Sequence, residues 1–362
     1  MRSFDSKSLS PRMSKLTGAN LLAVLLAVCA SMPCAAQHVP SNADTAREAK
    51  TLVTETRVKD LADRGSWNEV LPLAQAWTRQ NPDEDRAWFY LAKAQRKLGA
   101  FGDAELAIQR ADALRPRDAY ILNERGELAR DQNRDDEAIG YFQKSQEARP
   151  KLVFVAENLA GILARNGRWD AAKTALLYAI ELNPESSFSW HNLAVVYENL
   201  GDAKNAEAAY RKTLSIEPAH ENTACGLGNL LHEQRRYADA MQVYRTALKH
   251  RPDDATIWGN ISNTLSALGR IDEGLAASKK AVELDPELAI AWNGLGKRYF
   301  EKRNYEASLS ALTKAAILDP KDADTWRNLV ILHGSRADKS ERAAALARLR
   351  ALDQTAASEF DK

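Results

Sequence analysis

Prolines stand at 82, 116, 150, 184, 218, 252, 286 and 320, each 34 residues after the one before, and eight of the chain's twelve prolines lie on this comb. A fixed period of that length marks a repeat array, so the 362 residues are not to be divided into globular domains of about 150 residues each. With each comb proline placed at position 32, units begin at 51, 85, 119, 153, 187, 221, 255 and 289, and a ninth starts at 323. Position 4 holds Trp88, Trp190, Trp258, Trp292 and Trp326, five of the eight tryptophans. Position 8 is small in seven successive units, as Ala92, Gly126, Ala160, Ala194, Gly228, Ser262 and Gly296. Position 20 is small as well, in Ala104, Ala138, Ala172, Ala206, Ala240, Gly274 and Ser308. Small residues at fixed positions let two helices approach closely.

Within a unit the apolar spacing is helical. Trp190, Leu193, Ala194 and Tyr197 fall at i, i+3, i+4 and i+7, and Ala206, Ala209 and Tyr210 repeat the pattern after a break. In that break a glycine recurs, as Gly65, Gly99, Gly167, Gly201 and Gly269, where a helix ends in a left-handed residue. Each comb proline stops the second helix, having no N–H to give and disfavouring helix in the residue before it. Acidic residues such as Glu185, Asp253 and Asp254 then suit the start of the next helix. The unit is helix, turn, helix.

The fullest unit reads Trp190, Leu193, Ala194, Tyr197, Gly201, Ala206, Tyr210 and Pro218, and it resembles the tetratricopeptide repeat. The resemblance implies an all-α, right-handed superhelical solenoid of about eight to nine such repeats over residues 51–335, with a concave face lined by first helices. The departures are Thr54 and Arg57 in the first unit, Leu122 and Arg125 in the third, and Val330 in the ninth. End units have one neighbour only, which excuses the first and ninth but not Arg125. Trp292 is expected to fill the space between its own two helices and the next unit. Residues 336–362 read as a C-terminal capping helix and tail, with Ala343, Ala344, Ala345 and Leu349 on a charged amphipathic helix from Lys339 to Leu352.

At the other end, Arg2, Lys7, Arg12 and Lys15 precede an apolar run from Leu21 to Ala30 and then Cys34-Ala35-Ala36. That order is an export signal over residues 1–36, with cleavage expected before Gln37 and a linker or leading helix over 37–50. Ten apolar residues fall short of the roughly 20 that span a bilayer. Val28 before Cys29 departs from the small residue that lipoprotein signals place there. Loss of the signal leaves Cys225 as the only cysteine, so no internal disulfide forms. It also leaves 46 basic against 48 acidic residues, a balance without the excess that draws nucleic acid or anionic membrane. The expected location is the periplasm, with no integral span after cleavage. An uncleaved or lipidated N-terminus would instead make the chain a membrane-anchored adaptor for envelope or exopolysaccharide assembly.

The sequence holds no phosphate-binding glycine loop, no G-x-S-x-G elbow, no H-E-x-x-H and, after the signal, no C-x-x-C. No cofactor is called for, and the chain reads as a non-enzymatic scaffold for a protein or peptide partner. A thiol or metal site at Cys225, His191 and His232 is a third reading, since all three fall on first helices. Cys225 and His232 are seven residues apart, about 10 Å along a helix, too far to share a metal unaided.

The resemblance further implies that ligands lie in the concave face and touch positions 2, 5, 6, 9, 12 and 13 of the first helices. Position 6 holds Asn158, Asn192, Asn260 and Asn328, position 9 holds Asn229 and Asn263, and position 5 holds Asn123 and Asn293. A carboxamide donates and accepts, so it pairs with any peptide backbone. The row is similar to the asparagine ladder of the repeat arm of O-linked N-acetylglucosamine transferase, although Tyr90, Glu124, Gly226 and Gly294 interrupt it. The alternative is that these amides bridge or cap helices. The carboxylate clamp of chaperone-binding relatives is not matched, because Cys225, Ile290 and Gly294 replace its cations. Arg86, Lys93, Arg96 and Lys97, at positions 2, 9, 12 and 13 of the second unit, form a basic set that would receive an acidic segment or simply pair with Glu124, Glu127 and Asp131 next door.

Overall fold

The computed structural model describes residues 54–360. The export signal and the linker before residue 51 lie outside the described residues. The chain divides into two compact units at Ser66 and Trp67. The described part of the first is a helix, α1, over 54–63, closed by a turn in which Gly65 is left-handed and Ser66 N–H reaches the Leu61 carbonyl at 2.9 Å.

The described residues of the second unit are helices joined by short turns. Its order is α2 (Trp67–Gln80), α3 (Asp85–Lys97), α4 (Phe101–Leu114), α5 (Ala119–Asp131), α6 (Asp135–Ala148), α7 (Val153–Arg165), α8 (Trp169–Leu182) and α9 (Ser187–Asn199). It continues with α10 (Ala203–Ile216), α11 (Glu221–Glu233), α12 (Tyr237–His250), α13 (Ala255–Ala267), α14 (Ile271–Leu284), α15 (Ala289–Glu301), α16 (Tyr305–Leu318), α17 (Ala323–Ser335), α18 (Lys339–Leu352) and the short α19 (Gln354–Ser358). The architecture is an all-α repeat solenoid. No helix among the described residues is long and apolar enough to cross a membrane.

The turn inside each repeat is fixed at position 15. Glycine takes it at φ 67 to 80° in five units, and Asn133, Arg235, Arg303 and Ala337 take the same left-handed conformation at φ 59 to 61°. The closing bonds are those of a Schellman motif, with Gly201 N–H on Glu198 and Asp202 N–H on Tyr197, both at 2.9 Å. First helices are capped in every second unit. Asp118, Ser186, Asp254 and Asp322 each accept from backbone N–H groups of the following turn, whereas Leu152 and Leu288 at the same position offer no acceptor.

Position 8 is small because the second helix of the same repeat leans on it with position 24. A Cβ at Gly126 would stand 2.6 Å from the Phe142 ring, at Gly296 2.6 Å from Leu312, and at Gly228 2.2 Å from Tyr244. Where position 24 is Ser278, position 8 is Ser262 and the two hydroxyls bond at 2.6 Å in the core. First helices also touch the first helix of the next repeat, α3 on α5, α5 on α7, α7 on α9, α11 on α13, α13 on α15 and α15 on α17. Second helices do not pair comparably among the described residues, so the first helices line the inner side of the curve. At the C-terminal end, Ala345 and Leu349 of α18 are buried with Leu312, Leu329, Leu332 and Ala357.

Trp292 sits differently from expectation. It is only half-buried, and its indole N–H bonds the Pro286 carbonyl at 2.8 Å, on the side of the preceding repeat. Arg125 finds its reason in a polar packing site. Its guanidinium bonds Asp112 at 2.5 Å and the Tyr141 hydroxyl at 2.7 Å, and lies 4.5 Å over the Tyr141 ring.

Candidate functional site

The inner face carries the amides, and they fall into two groups. Asn158 Nδ2 donates to Asn123 Oδ1 at 3.0 Å, and Asn328 Nδ2 donates to Asn293 Oδ1 at 2.7 Å. Both bonds link position 6 of one repeat to position 5 of the repeat before, 35 residues apart. Asn293 is buried and its own Nδ2 reaches Asp322 at 3.5 Å. These four asparagines are stitches between successive first helices.

The central stretch differs. Position 5 of the preceding repeat is Glu157 below Asn192 and Cys225 below Asn260, so no amide stands there to pair with. Among the described residues the side chains of Asn192, Asn260 and the exposed Asn263 take no hydrogen bond. Asn229 accepts from the Tyr244 hydroxyl at 2.8 Å and keeps its N–H groups for another partner. The row is broken at Gly226 for a steric reason, because a Cβ there would stand 2.8 Å from the Tyr210 ring. The inner face of α9, α11 and α13 therefore holds polar groups able to pair with an extended backbone.

The members of the basic set have different partners. Arg96 is withdrawn into the protein, bonded to Glu124 and Asp131, each at 2.6 Å, with Glu127 at 3.4 Å. Burial opposes its charge, but Glu124 and the other carboxylates more than offset that and hold its pKa above the usual value. Lys93 lies 5.8 Å over the Trp67 ring and 5.9 Å over Phe89. Arg86 and Lys97 are exposed. Arg96 is thus a structural ion pair and no arm for an acidic ligand.

Cys225, His191 and His232 do not form one cluster of bonded groups. His191 Nδ1 lies 2.8 Å from Thr223 Oγ1, and His232 Nδ1 lies 3.1 Å from Thr264 Oγ1. His220 Nδ1 shares the same Thr223 hydroxyl at 2.7 Å, and its ring stands 4.8 Å from that of His191. Burial, with His220 beside it, pushes His191 down to about 4. Among the described residues no group of three His, Cys, Asp or Glu side chains is arranged to hold a metal. The sequence signal missed here is the recurrent threonine at i+32 from each histidine, which occupies Nδ1 across the repeat boundary.

Comparison with known proteins agrees with this architecture. A tetratricopeptide repeat model matches residues 56–119 and 260–323, and that of the cilia and flagella-associated protein 70 C-terminal domain, itself of tetratricopeptide type, matches 119–290. No sequence among the curated proteins matches the chain. Its fold is similar to that of a tetratricopeptide repeat protein from Parabacteroides merdae, at 16% identity and TM-score 0.56, covering 68% of this chain and 98% of that one. PilW, described as a widely conserved type IV pilus biogenesis factor, aligns at 16% identity and TM-score 0.52 over 57% of this chain and 96% of its own. The Cut9-Hcn1 hetero-tetramer of the APC/C supplies a third, at 17% identity and TM-score 0.51 over 74% of this chain and 52% of that chain. The chain is a tetratricopeptide repeat protein.

Proposed function

We propose that the chain is a non-enzymatic scaffold of the cell envelope that holds an extended segment of a partner protein along the inner face of α9, α11 and α13. The observation that carries this reading is the set of unspent amides of Asn192, Asn260 and Asn263 on a face where Asn123, Asn158, Asn293 and Asn328 are tied up between helices. A backbone strand placed there gains donors and acceptors without regard to its side chains. Export rests on the basic, apolar and small-residue order of residues 1–36. PilW, a pilus biogenesis factor with the same fold, is in keeping with an envelope scaffold.

The test uses the mature chain and a double variant, Asn192→Arg with Asn260→Arg, as bait for envelope proteins from the native cell. A protein held by the wild type, lost from the variant and rebound as a synthetic peptide of its own sequence is the expected result. Retention of the same proteins by both baits overturns the inner-face site. The mass of the purified chain should begin at Gln37, and a full-length or acylated mass would instead favour the anchored adaptor.

A further inference from the structure

Five repeats seat a tryptophan in the same way. Its indole folds back on the preceding turn and donates Nε1–H to the comb proline's carbonyl, Trp88 to Pro82 at 2.8 Å, Trp190 to Pro184 at 2.9 Å, Trp258 to Pro252 at 3.1 Å, Trp292 to Pro286 at 2.8 Å and Trp326 to Pro320 at 3.0 Å. The repeat at 153 has Ala156 in that place, and the carbonyl of Pro150 is taken by the Tyr178 hydroxyl at 3.0 Å. In the repeat at 119, Leu122 stands at position 4 and is buried. The repeat at 221 has neither solution. Ala224 stands at position 4, the residue corresponding to Tyr178 is Thr246, whose hydroxyl bonds Gln242 in its own helix, and among the described residues no donor reaches the Pro218 carbonyl.

What remains is a cavity of about 610 Å³ between α10 and α12, walled by Leu214, Pro218, Ala224, Leu227 and Val243. The equivalent hollows beside Trp258 and Trp326 are smaller, about 480 and 390 Å³. Its charged rim is already neutralised, since Arg236 pairs with Glu207 at 2.6 Å and Arg211 pairs with Glu207 at 2.9 Å. The cavity thus offers an apolar slot ending in one free carbonyl acceptor. The chain has no spare tryptophan of its own to place there. All eight tryptophans lie within the described helices, and the only aromatic residue before 54 is Phe4.

We propose that this slot, on the outer side of the solenoid, receives a tryptophan side chain from a partner protein, the ring lying between Leu214 and Val243 and the indole N–H meeting the Pro218 carbonyl. It is a second contact, away from the amides of the inner face, and it does not depend on them. Tryptophan is the occupant because it combines a ring that fills apolar space with a single N–H donor, the combination the chain uses five times at this place.

The test is saturation-transfer NMR on the mature chain with three probes, indole, 1-methylindole and the capped tripeptide Gly-Trp-Gly, and with the variants Ala224→Trp and Ala224→Leu. Indole and the tripeptide should both receive signal. 1-Methylindole, lacking the donor, should bind about 2- to 10-fold more weakly. Ala224→Trp should abolish all three signals while melting no lower than the wild type, and Ala224→Leu keeps the test open should the larger ring disturb folding. Equal signals in wild type and both variants, or none in the wild type, overturn the slot. Binding of free indole with exclusion of the tripeptide overturns the partner residue in favour of a small molecule. Concentration-dependent dimers abolished by Ala224→Trp would reassign the occupant to a second copy of this chain.

Discussion

Gly228 lies so close to Tyr244 that a methyl carbon in its place would stand 2.2 Å from the ring, well inside any tolerable contact. The second helix of the repeat rests on the first through this pair. Tyr210, one repeat earlier, shares its repeat with Ala194, and it is Gly226 of the following first helix that makes room for its ring. Gly228→Ala sets a gain in helix propensity of about 1 kcal/mol against an overpacking cost of about 1 to 3 kcal/mol. The expected outcome is net destabilisation, relieved in part by Tyr244→Leu in the same chain. A double-mutant cycle by urea unfolding checks it, and strict additivity would show that the two side chains are independent.

The turn at position 15 makes the opposite kind of prediction. Arg303 stands at φ 59°, where a side chain costs about 1 to 2 kcal/mol. Arg303→Gly removes that strain and gives back some of it as unfolded-state entropy, so the variant should gain roughly 0.5 to 1 kcal/mol. Gly201→Ala should lose a similar amount, since open space surrounds it and only its φ of 73° resists the substitution. Thermal melts of both variants decide the sign.

The proline comb, the tryptophans and the small positions were legible because each serves the same packing contact in every repeat that carries it. The left-handed turn was legible only where glycine stood in it. Asn133, Arg235, Arg303 and Ala337 hide the same backbone behind ordinary side chains, which the closing hydrogen bonds of the turn enforce regardless of residue type. The amides looked like one ladder because position 6 recurs. Whether an asparagine is spent depends on the residue 35 places earlier, Asn123 for Asn158 but Glu157 for Asn192, and that pairing exists only once repeats are stacked. Arg96 was legible as one of two alternatives, and stacking decides for the pairing, its three carboxylates lying on the next first helix.

Trp292→Ala should cost less than a fully buried ring. With the indole half-exposed and one bond to Pro286, a loss of about 2 to 3 kcal/mol is expected from burial and the N–H bond together. Trp292→Phe isolates the bond and should cost roughly 0.5 to 1.5 kcal/mol of that. Because a solenoid is held by local and nearest-neighbour contacts, amide exchange should accelerate in α14 to α18 before α3 to α8. Uniform acceleration along the chain would contradict this.

The His191 site predicts acid sensitivity. One Thr223 hydroxyl can donate to only one of the two rings that face it, so it must accept from the other, and a proton added to the accepting ring breaks the chain. With His191 pushed down to about 4, the unfolded chain takes up a proton near pH 6.5 that the folded chain refuses. Stability should therefore fall as pH drops from about 6.5 towards 4, and this contribution should level off below that. His191→Gln keeps a polar side chain and should flatten the slope over the same window. Parallel slopes for wild type and variant in melts at stepped pH would remove His191 as the cause.

The amide face predicts how binding responds to salt and to substitution. Each neutral hydrogen bond contributes about 0.5 to 1.5 kcal/mol net, so Asn192→Ala, Asn260→Ala and Asn263→Ala should each weaken a bound peptide by about 2- to 10-fold. The three together should weaken it far more, because none of the three side chains is tied to a helix among the described residues. Asn158→Ala and Asn328→Ala should act on stability instead, since those amides bond Asn123 and Asn293. Neutral pairing persists at high ionic strength, whereas a contact made by exposed Arg86 and Lys97 is screened within about 10 Å at 0.1 M salt. Titration of the captured peptide against wild type and the triple variant, at low and high salt, separates the two. Unchanged affinity in the triple variant, with steep salt dependence in the wild type, would move the site to α3 and leave the central asparagines without a ligand.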